Sequence, residues 1–222
     1  MKKTILSLAI LAGFTGAAHA QTGVKYGLKG GFSTSTFSGE DSKGTNYKVG
    51  FNAGAFLNFG ITDNFSVQPE FLYSQKGAAI KDYPYLAGTT AGVPVYNTNG
   101  KLKSTLGYLD VPIMFRYNIG EDGKGFYVEA GPQGSFLLHQ RTFTENGSGD
   151  EISGTRTTGT DGLNKVLISY AGGVGYQITS GLGLNLRYTG DFARVYKKDN
   201  NIAPNVHNSV FQFQVGYAFG GK

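Results

Sequence analysis

The sequence predicts an all-β protein, an eight-stranded antiparallel up-and-down transmembrane β-barrel with short periplasmic turns and long extracellular loops. Three observations predict this fold. Apolar and polar residues alternate in many short segments, glycine makes up 35 of the 222 residues, and short and long connections alternate along the chain. Alternation with a period of two is typical of strands with one apolar face, and alternating connection lengths are typical of outer-membrane barrels.

Eight segments carry the alternation. In 108–117, for example, Leu109, Val111 and Ile113 lie on one face and Asp110 lies on the other. The eight predicted strands are 24–33, 47–59, 65–73, 108–117, 126–138, 166–178, 182–188 and 211–219. They have about the length of a tilted membrane strand, ~9–11 residues.

The connections between these strands fall into two alternating classes. The short ones, expected at the periplasmic end, are 60–64, 120–125 and 179–181. The long polar ones, expected at the extracellular end, are 36–46, 76–102, 141–163 and 196–207. An even number of strands then places both chain ends on the periplasmic side.

The first twenty residues predict a secretory signal peptide. Met1-Lys2-Lys3 is basic, 5–18 is apolar, and Ala18-His19-Ala20 has the small residues of a cleavage site. This order is typical of exported proteins. We therefore expect a signal peptide over 1–20, cleavage after Ala20, a barrel domain over 21–222 and localisation in the outer membrane. After residue 20 no apolar run reaches the roughly 20 residues of a membrane-spanning helix.

The composition excludes several classes of function. The chain has no cysteine, which excludes disulfides, thiolate metal sites and thiol catalysis. Its formal net charge is +5, and two of the basic residues, Lys2 and Lys3, belong to the predicted signal peptide. Because the remaining basic residues are scattered, the sequence does not favour a nucleic acid partner.

The phase of the alternation predicts which face meets lipid. One face carries almost only aromatic, aliphatic and glycine residues, more than a narrow barrel could enclose, so we expect it to form an apolar band about 25 Å tall. A soluble carrier barrel with the apolar face inside is the alternative. Six tyrosines are expected near strand ends as an aromatic girdle: Tyr26, Tyr47, Tyr73, Tyr117, Tyr188 and Tyr217.

The polar face predicts a charged lumen. Its basic residues are Lys25, Lys29, Arg116 and Arg187, and its acidic residues are Glu70, Asp110, Glu129 and Asp191. Buried charges persist only when paired and hydrogen-bonded. We therefore expect a structural charge network of Lys29, Glu70, Asp110, Arg116, Glu129, Arg187 and Asp191, in which Lys29, Glu70, Glu129 and Arg187 lie at mid-barrel height and form a plug. Glycines such as Gly173 would leave room for the long side chains. A wetter lumen with fewer ion pairs is the alternative.

Catalytic and metal chemistry is not predicted. Ser135 and His139 share the lumen phase but lie four apart on one strand, roughly 13 Å in extended geometry, too far for a nucleophile and its base. Glu70 and Glu129 could suggest an acid–base pair, but salt-bridged structural charges explain them better. No spacing suggests a cofactor or metal site. Three prolines inside strands, Pro69, Pro112 and Pro132, predict local bulges.

Five segments resemble the PorT-like outer-membrane β-barrel domain family. The specific parts are 65–77, FSVQPEFLYSQKG, and 108–112, YLDVP; the others are 27–31, 171–176 and 184–188. The resemblance covers the mature chain and implies an eight-stranded barrel in a Gram-negative-type outer membrane, with a link to secretion machinery in the namesake branch. The chain departs from barrels that end on an aromatic residue, because Phe219 is followed by Gly220-Gly221-Lys222.

Together these features predict a monomeric, non-enzymatic barrel that displays surface loops and contacts outer-membrane lipids. The predicted loop 76–102 mixes lysines with Tyr83, Tyr85 and Tyr96, so it could recognise an anionic polysaccharide, lipid phosphates or a partner protein, or be an ordinary solvated loop. Three alternative functions remain: an accessory component of protein secretion or envelope biogenesis with protein partners there, a narrow porin, and an outer-membrane lipid enzyme.

Overall fold

The computed structural model describes residues 24–120, 125–152, 156–178, 181–198 and 203–219. Its strands are β1 (Lys25–Ser38), β2 (Thr45–Asn46), β3 (Lys48–Gly60), β4 (Phe65–Thr90), β5 (Val93–Asn118), β6 (Gly125–Glu145), β7 (Thr157–Thr158), β8 (Val166–Gln177), β9 (Leu182–Asp191) and β10 (His207–Phe219). The predicted signal peptide, 1–20, lies outside the described residues. Within the described part of the chain, no helix has the length and apolar character needed to cross a membrane.

Eight of these strands close into a ring, which confirms the predicted fold class. Each long strand pairs antiparallel with the next, and β4 also pairs with β5. The ring closes where β1 meets β10, from Tyr26 opposite Phe219 to Ser38 opposite His207. The two remaining strands have two residues each and extend the long-loop end, β2 beside β4 and β7 beside β6.

The wall has the polarity that the alternation predicts. Along β4, the side chains of Gln68, Glu70 and Leu72 are buried in the interior, whereas Phe71 between them is 55% exposed on the outside. The outward residues are mostly aromatic or aliphatic; Phe32, for instance, is 72% exposed. A ring of this size exposes so many apolar side chains only where its outer surface meets lipid.

The two classes of connection lie at opposite ends of the barrel, as predicted. The turn at 61–64 joins β3 to β4, and Ile61 N donates to Phe65 O at 2.8 Å within it. The other two short connections include residues outside the described part. The predicted loop 76–102 is wrong as a loop, because β4 and β5 each continue for 26 residues and meet at Ala91 and Gly92. The ends of β4 and β5 form a hairpin beyond the other strands. Because a hairpin outside the membrane needs no apolar face, apolar and polar residues do not alternate along it.

The predicted bulges at the prolines are also wrong. The register of β4 against β5 is the same on both sides of Pro69 and Pro112, although some ladder pairs are missing there. The same holds for β5 against β6 across Pro132. Each proline lacks an N–H donor and therefore removes a hydrogen bond between the paired strands, but no extra residue is inserted and no bulge forms. A register shift lies instead between Gly107 and Tyr108, where β6 has an extra residue.

That bulge reverses the phase of β6 near its long-loop end. Tyr108 pairs with Leu137, but Gly107 pairs with His139, so one residue of β6 is skipped. His139 consequently points outward, where its ring stacks on Tyr73 and its Nε2 lies 3.0 Å from the Tyr73 hydroxyl. The prediction that His139 faces the lumen is therefore wrong. Tyr73 also does not lie near a strand end, since β4 continues to Thr90.

Candidate functional site

The candidate functional site is the barrel interior, where inward-pointing side chains fill three successive levels. The middle level is built on one row of paired residues. Arg116 on β5 lies opposite Glu129 on β6, Glu129 lies opposite Gly173 on β8, and Gly173 lies opposite Arg187 on β9. Because Gly173 has no side chain, Arg187 can reach across it to Glu129. A Cβ at Gly173 would lie 2.6 Å from Leu186 O and 3.4 Å from Arg187 Cβ.

Arg187 joins two carboxylates at the centre of this level. Its Nη1 lies 2.7 Å from Glu70 Oε2 and its Nη2 lies 2.9 Å from Glu70 Oε1. Its Nε donates to Glu129 Oε1 at 3.0 Å, and its Nη2 also pairs with Glu129. All three side chains are fully buried. A planar guanidinium with several donors suits this double contact, which a lysine could not reproduce.

Two further cations complete the arrangement. Lys29 Nζ lies 2.9 Å from Glu70 Oε1, and Arg116 Nη2 lies 2.8 Å from Glu129 Oε2. We call Lys29, Glu70, Arg116, Glu129 and Arg187 the ion cluster. It contains three cations and two carboxylates, so it carries one surplus positive charge. The structure thus brings together all four predicted plug residues and adds Arg116 to them.

Neutral side chains provide further hydrogen bonds to the carboxylates of the ion cluster. Gln68 Nε2 donates to Glu70 at 2.7 Å, and Asn185 Nδ2 donates to Glu129 at 3.0 Å. The Arg116 guanidinium lies 3.9 Å from the centroid of the Tyr127 ring. A buried ion pair is tolerated only with such additional hydrogen bonds, because desolvation otherwise outweighs the Coulomb attraction. Each carboxylate oxygen of Glu70 and Glu129 accepts from a cationic side chain. This arrangement favours the ionised form of both residues and does not suit an acid–base pair that shares a proton.

The next level toward the long loops centres on Lys76. Its Nζ lies 2.9 Å from Asp110 Oδ1 and 3.0 Å from Ser135 Oγ, and its side chain is 0% exposed. The sequence pattern assigns Lys76 to the long polar connection 76–102 and does not pair it with Asp110. The loop assignment hid it, although its position two residues after the inward Ser74 on β4 would have given the correct phase.

The same level continues across the barrel to Asp191. Ser135 Oγ lies 3.4 Å from Ser169 Oγ, which donates to Asp191 Oδ1 at 2.6 Å. Asn208 Nδ2 donates to Asp191 Oδ2 at 2.6 Å. We call Lys76, Asp110, Ser135, Ser169, Asp191 and Asn208 the upper chamber. Asp110 and Asp191 therefore lie in this chamber and not in the ion cluster with the other predicted charges.

Apolar side chains close the third level, at the long-loop end. We call the buried set Leu106, Tyr108, Leu163, Leu167, Val195 and Val206 the cap. Leu163 and Val195 come from connections that fold over the barrel mouth, held by hydrogen bonds of 2.9 Å from Asn164 N to Val195 O and from Val195 N to Val206 O. Tyr196 packs against the cap, and burial raises the pKa of its hydroxyl. Sequence reasoning missed the cap because isolated apolar residues in polar loops have no period.

The remaining chemical candidates are not brought together. Ser135 lies in the upper chamber, whereas His139 lies outside the barrel wall. Among the described residues no group of three or more His, Asp or Glu could hold a metal ion. In the exposed connection after β6, Asp150 N and Ser148 N both donate to Asn146 Oδ1, as in a turn. Hydrogen bonds from Arg156 and, more weakly, from Arg141 hold the pKa of Glu151 in that connection below its usual range.

A comparison of the sequence with known protein families gives one match over most of the chain. Residues 19–192 match the family described as outer membrane protein beta-barrel domain. None of the curated proteins matches the chain in sequence.

Several solved barrels are similar to the chain. Ail, the attachment invasion locus protein of Yersinia pestis solved with the heparin analogue sucrose octasulfate, is 11% identical over 88% of this chain and 99% of its own, with a TM-score of 0.49. Neisserial surface protein A is 14% identical over 89% and 99%, with a TM-score of 0.47. OprG from Pseudomonas aeruginosa is 14% identical over 89% and 97%, with a TM-score of 0.42.

Proposed function

Since the chain belongs to the outer membrane protein beta-barrel domain family, we propose that it is a sealed, monomeric, non-enzymatic barrel of the outer membrane that carries a rigid β-hairpin outward to contact another macromolecule. The observation that carries this proposal is the length of β4 and β5. Beyond Lys101, which still pairs with Glu145 of β6, residues 82–100 pair only with each other. We call residues 82–100 the protruding hairpin.

The protruding hairpin has the backbone of an ordered element. Ala91 and Gly92 at its tip have φ of 51° and 81°, which fits the two-residue turn that matches the twist of paired strands. Extended strands rise about 3.3 Å per residue, so the hairpin reaches roughly 25–30 Å beyond the neighbouring strands. A long ordered projection displays a fixed surface at a lower entropy cost than a flexible loop would have on binding.

The surface of the hairpin suits contact through its faces. Tyr83, Leu86, Val93 and Tyr96 are exposed on it. Tyrosine is enriched in binding interfaces because it combines a large apolar ring with a hydroxyl. Pro84 and Pro94, which cannot donate to an added strand, lie on the two free edges and disfavour indiscriminate strand pairing.

The filled lumen supports the sealed part of the proposal. Ion cluster, upper chamber and cap occupy successive levels of the interior, and their members are almost all buried. A water-filled pore would need these side chains to leave the axis. We therefore expect planar-bilayer recordings of the purified barrel to show no steady conductance. A large, ungated conductance from the wild-type protein would overturn this part of the proposal and favour a narrow porin.

The hairpin part of the proposal is tested by shortening the hairpin. Tyr83 and Gly100 are paired, so Asn-Gly in place of residues 84–99 would join them through a two-residue turn. We expect unchanged folding, measured by circular dichroism and by the heat-modifiable electrophoretic mobility of the barrel. We also expect loss of the protein contacts. Those contacts are measured by in-cell photocrosslinking from position 96, with position 150 in another exposed connection as the matched control. Absence of specific crosslinks at position 96 would overturn the proposal.

We propose that the contacts are with envelope or secretion proteins, as the resemblance of 65–77 and 108–112 to PorT-like proteins suggests. Mass spectrometry of the crosslinked products would identify them, and crosslinks to surface glycans alone would contradict this choice. A non-enzymatic role is supported by the wall between Ser135 and His139. The exposed apolar outer face supports contact with membrane lipids.

A further inference from the structure

The upper chamber contains more negative than positive charge. Its charged members are Lys76, Asp110 and Asp191, which give one surplus negative charge, and none of the three is more than 8% exposed. Lys76 is ion-paired to Asp110, while Asp191 is held by neutral donors from Ser169 and Asn208. A buried charge without a counter-charge is strongly unfavourable. One further positive charge would therefore neutralise the chamber.

Five oxygen atoms in the chamber or on residues that border it lack a partner in the set of geometric hydrogen bonds among the described residues. Asp110 Oδ2 and Asn208 Oδ1 belong to the chamber, and Ser74 Oγ, Thr189 Oγ1 and the hydroxyl of the cap residue Tyr108 border it. Each belongs to a side chain that is at most 1% exposed. Buried polar atoms in native proteins nearly always have a partner. All five atoms have lone pairs, so all five can bind a cation.

Strand register and side-chain contacts bring four of these oxygens near one another. Ser74 lies opposite Tyr108 across β4 and β5, and Asp110 is the next inward residue of β5. The Tyr108 phenol interacts electrostatically with both Asp110 and Asp191 and lies within hydrogen-bonding reach of the Asn208 side chain. Asn208 uses its Nδ2 to hold Asp191, which leaves its Oδ1 for a ligand.

From this arrangement we propose that the upper chamber binds one monovalent cation, of the size of Na⁺. Hard oxygen ligands suit such an ion. A single positive charge neutralises the chamber, whereas a divalent ion would leave a buried surplus. The surplus positive charge of the ion cluster does not replace it, because Leu72 lies between Glu70 and Ser74 on the inward face of β4. The cap above and the ion cluster below separate the site from bulk water.

The consequence is a stability that depends on sodium. A ligand that binds only the folded state stabilises it by mass action. Once Na⁺ exceeds its dissociation constant, each tenfold increase should lower the unfolding equilibrium constant by up to tenfold. The measurement is urea unfolding of the purified barrel in lipid bilayers, with NaCl exchanged for choline chloride at constant ionic strength, because choline is too large for the chamber.

The variants separate a specific site from a general salt effect. Asp110→Asn removes the surplus charge and a ligand, so we expect it to abolish the sodium dependence. Asp161→Asn, in an exposed connection, is the matched control and should behave like the wild type. If Asp110→Asn does not fold, Tyr108→Phe removes one ligand oxygen, and we expect it to require about tenfold more Na⁺ for the same effect. Equal unfolding in both salts for the wild type, or a sodium dependence unchanged in these chamber variants, would overturn the proposal.

Discussion

The ion cluster and the cap close the same lumen by different physical means. In the ion cluster, charged side chains on five regular strands meet across the axis, and Arg187 binds Glu70 and Glu129 at once. In the cap, aliphatic side chains from two connections, among them Leu163 and Val195, pack on inward residues of the barrel. One closure depends on strand register, and the other depends on how the connections fold back.

This difference determines how each closure should respond to change. A charge that loses its partner in the ion cluster remains buried on a rigid wall and cannot reach water, so the cost should be large. A methyl group lost from the cap leaves a space that a connection can partly refill. The barrel should therefore tolerate changes in the cap better than changes in the ion cluster.

The largest effect is expected from Glu129→Ala. This change removes the carboxylate that pairs with Arg116 and one of the two that pair with Arg187, and breaking a buried pair in this way costs about 3–5 kcal/mol. Urea unfolding in lipid bilayers measures it. Glu40→Ala is the control, since Glu40 is exposed and accepts only from Asn205 among the hydrogen bonds described. A loss below about 1 kcal/mol for Glu129→Ala would mean that water already reaches the ion cluster.

A second prediction tests the assumption that the ionic face is enclosed and the apolar face meets lipid. Phe71 points outward next to the inward Glu70. Phe71→Arg should cost about 2–4 kcal/mol if the position lies near the bilayer midplane, because the charge then lies in hydrocarbon. Ile61→Arg, in the turn at the barrel end, is the depth control and should cost about 0–1 kcal/mol. Equal costs at both positions would place Phe71 outside the hydrocarbon layer.

The cap should give a smaller effect. Leu163→Ala removes a side chain that is 1% exposed, and we expect a loss of about 2 kcal/mol, the low end for such a truncation. The lumen should stay closed to ions, because the ion cluster is unchanged. Unfolding and bilayer conductance of the same sample measure both outcomes, with Val93→Ala on the exposed hairpin as the control. A conducting Leu163→Ala barrel would show that the cap alone closes the lumen.

The comparison also explains which parts of the structure the sequence could predict. Lys29, Glu70 and Arg187 could be placed on the inner face because they lie on strands whose outer residues must be apolar. That requirement ends where the membrane ends. The pattern therefore does not predict that Lys76 points into the lumen, although β4 continues through it. For the same reason it predicts a loop where the protruding hairpin has paired strands.

Two other features depend on contacts that a single strand pattern does not contain. The phase of His139 is set by one extra residue opposite Gly107, which no local preference marks. The cap depends on Leu163 and Val195 meeting residues far away in the sequence. Long-range packing of connections and single-residue bulges thus limit sequence-based prediction here more than the charged interior does.

The smallest effect is expected where an ion pair is exposed to water. Glu151 pairs with Arg156 and Arg141 outside the barrel, and its pKa is held below its usual range. A lowered pKa contributes stability above the ordinary glutamate pKa and loses it as the pH falls through the lowered value. Because the side chains are solvated, the dependence of global unfolding on pH should be the same for the wild type and for Glu151→Gln over this window. Hydrogen exchange should instead show faster opening of residues 145–152 as the pH falls, relative to Glu151→Gln, which has already lost the carboxylate. If acid loosened wild type and Glu151→Gln alike, the ion pair would not order this connection, and charge would matter to this barrel only where it is enclosed.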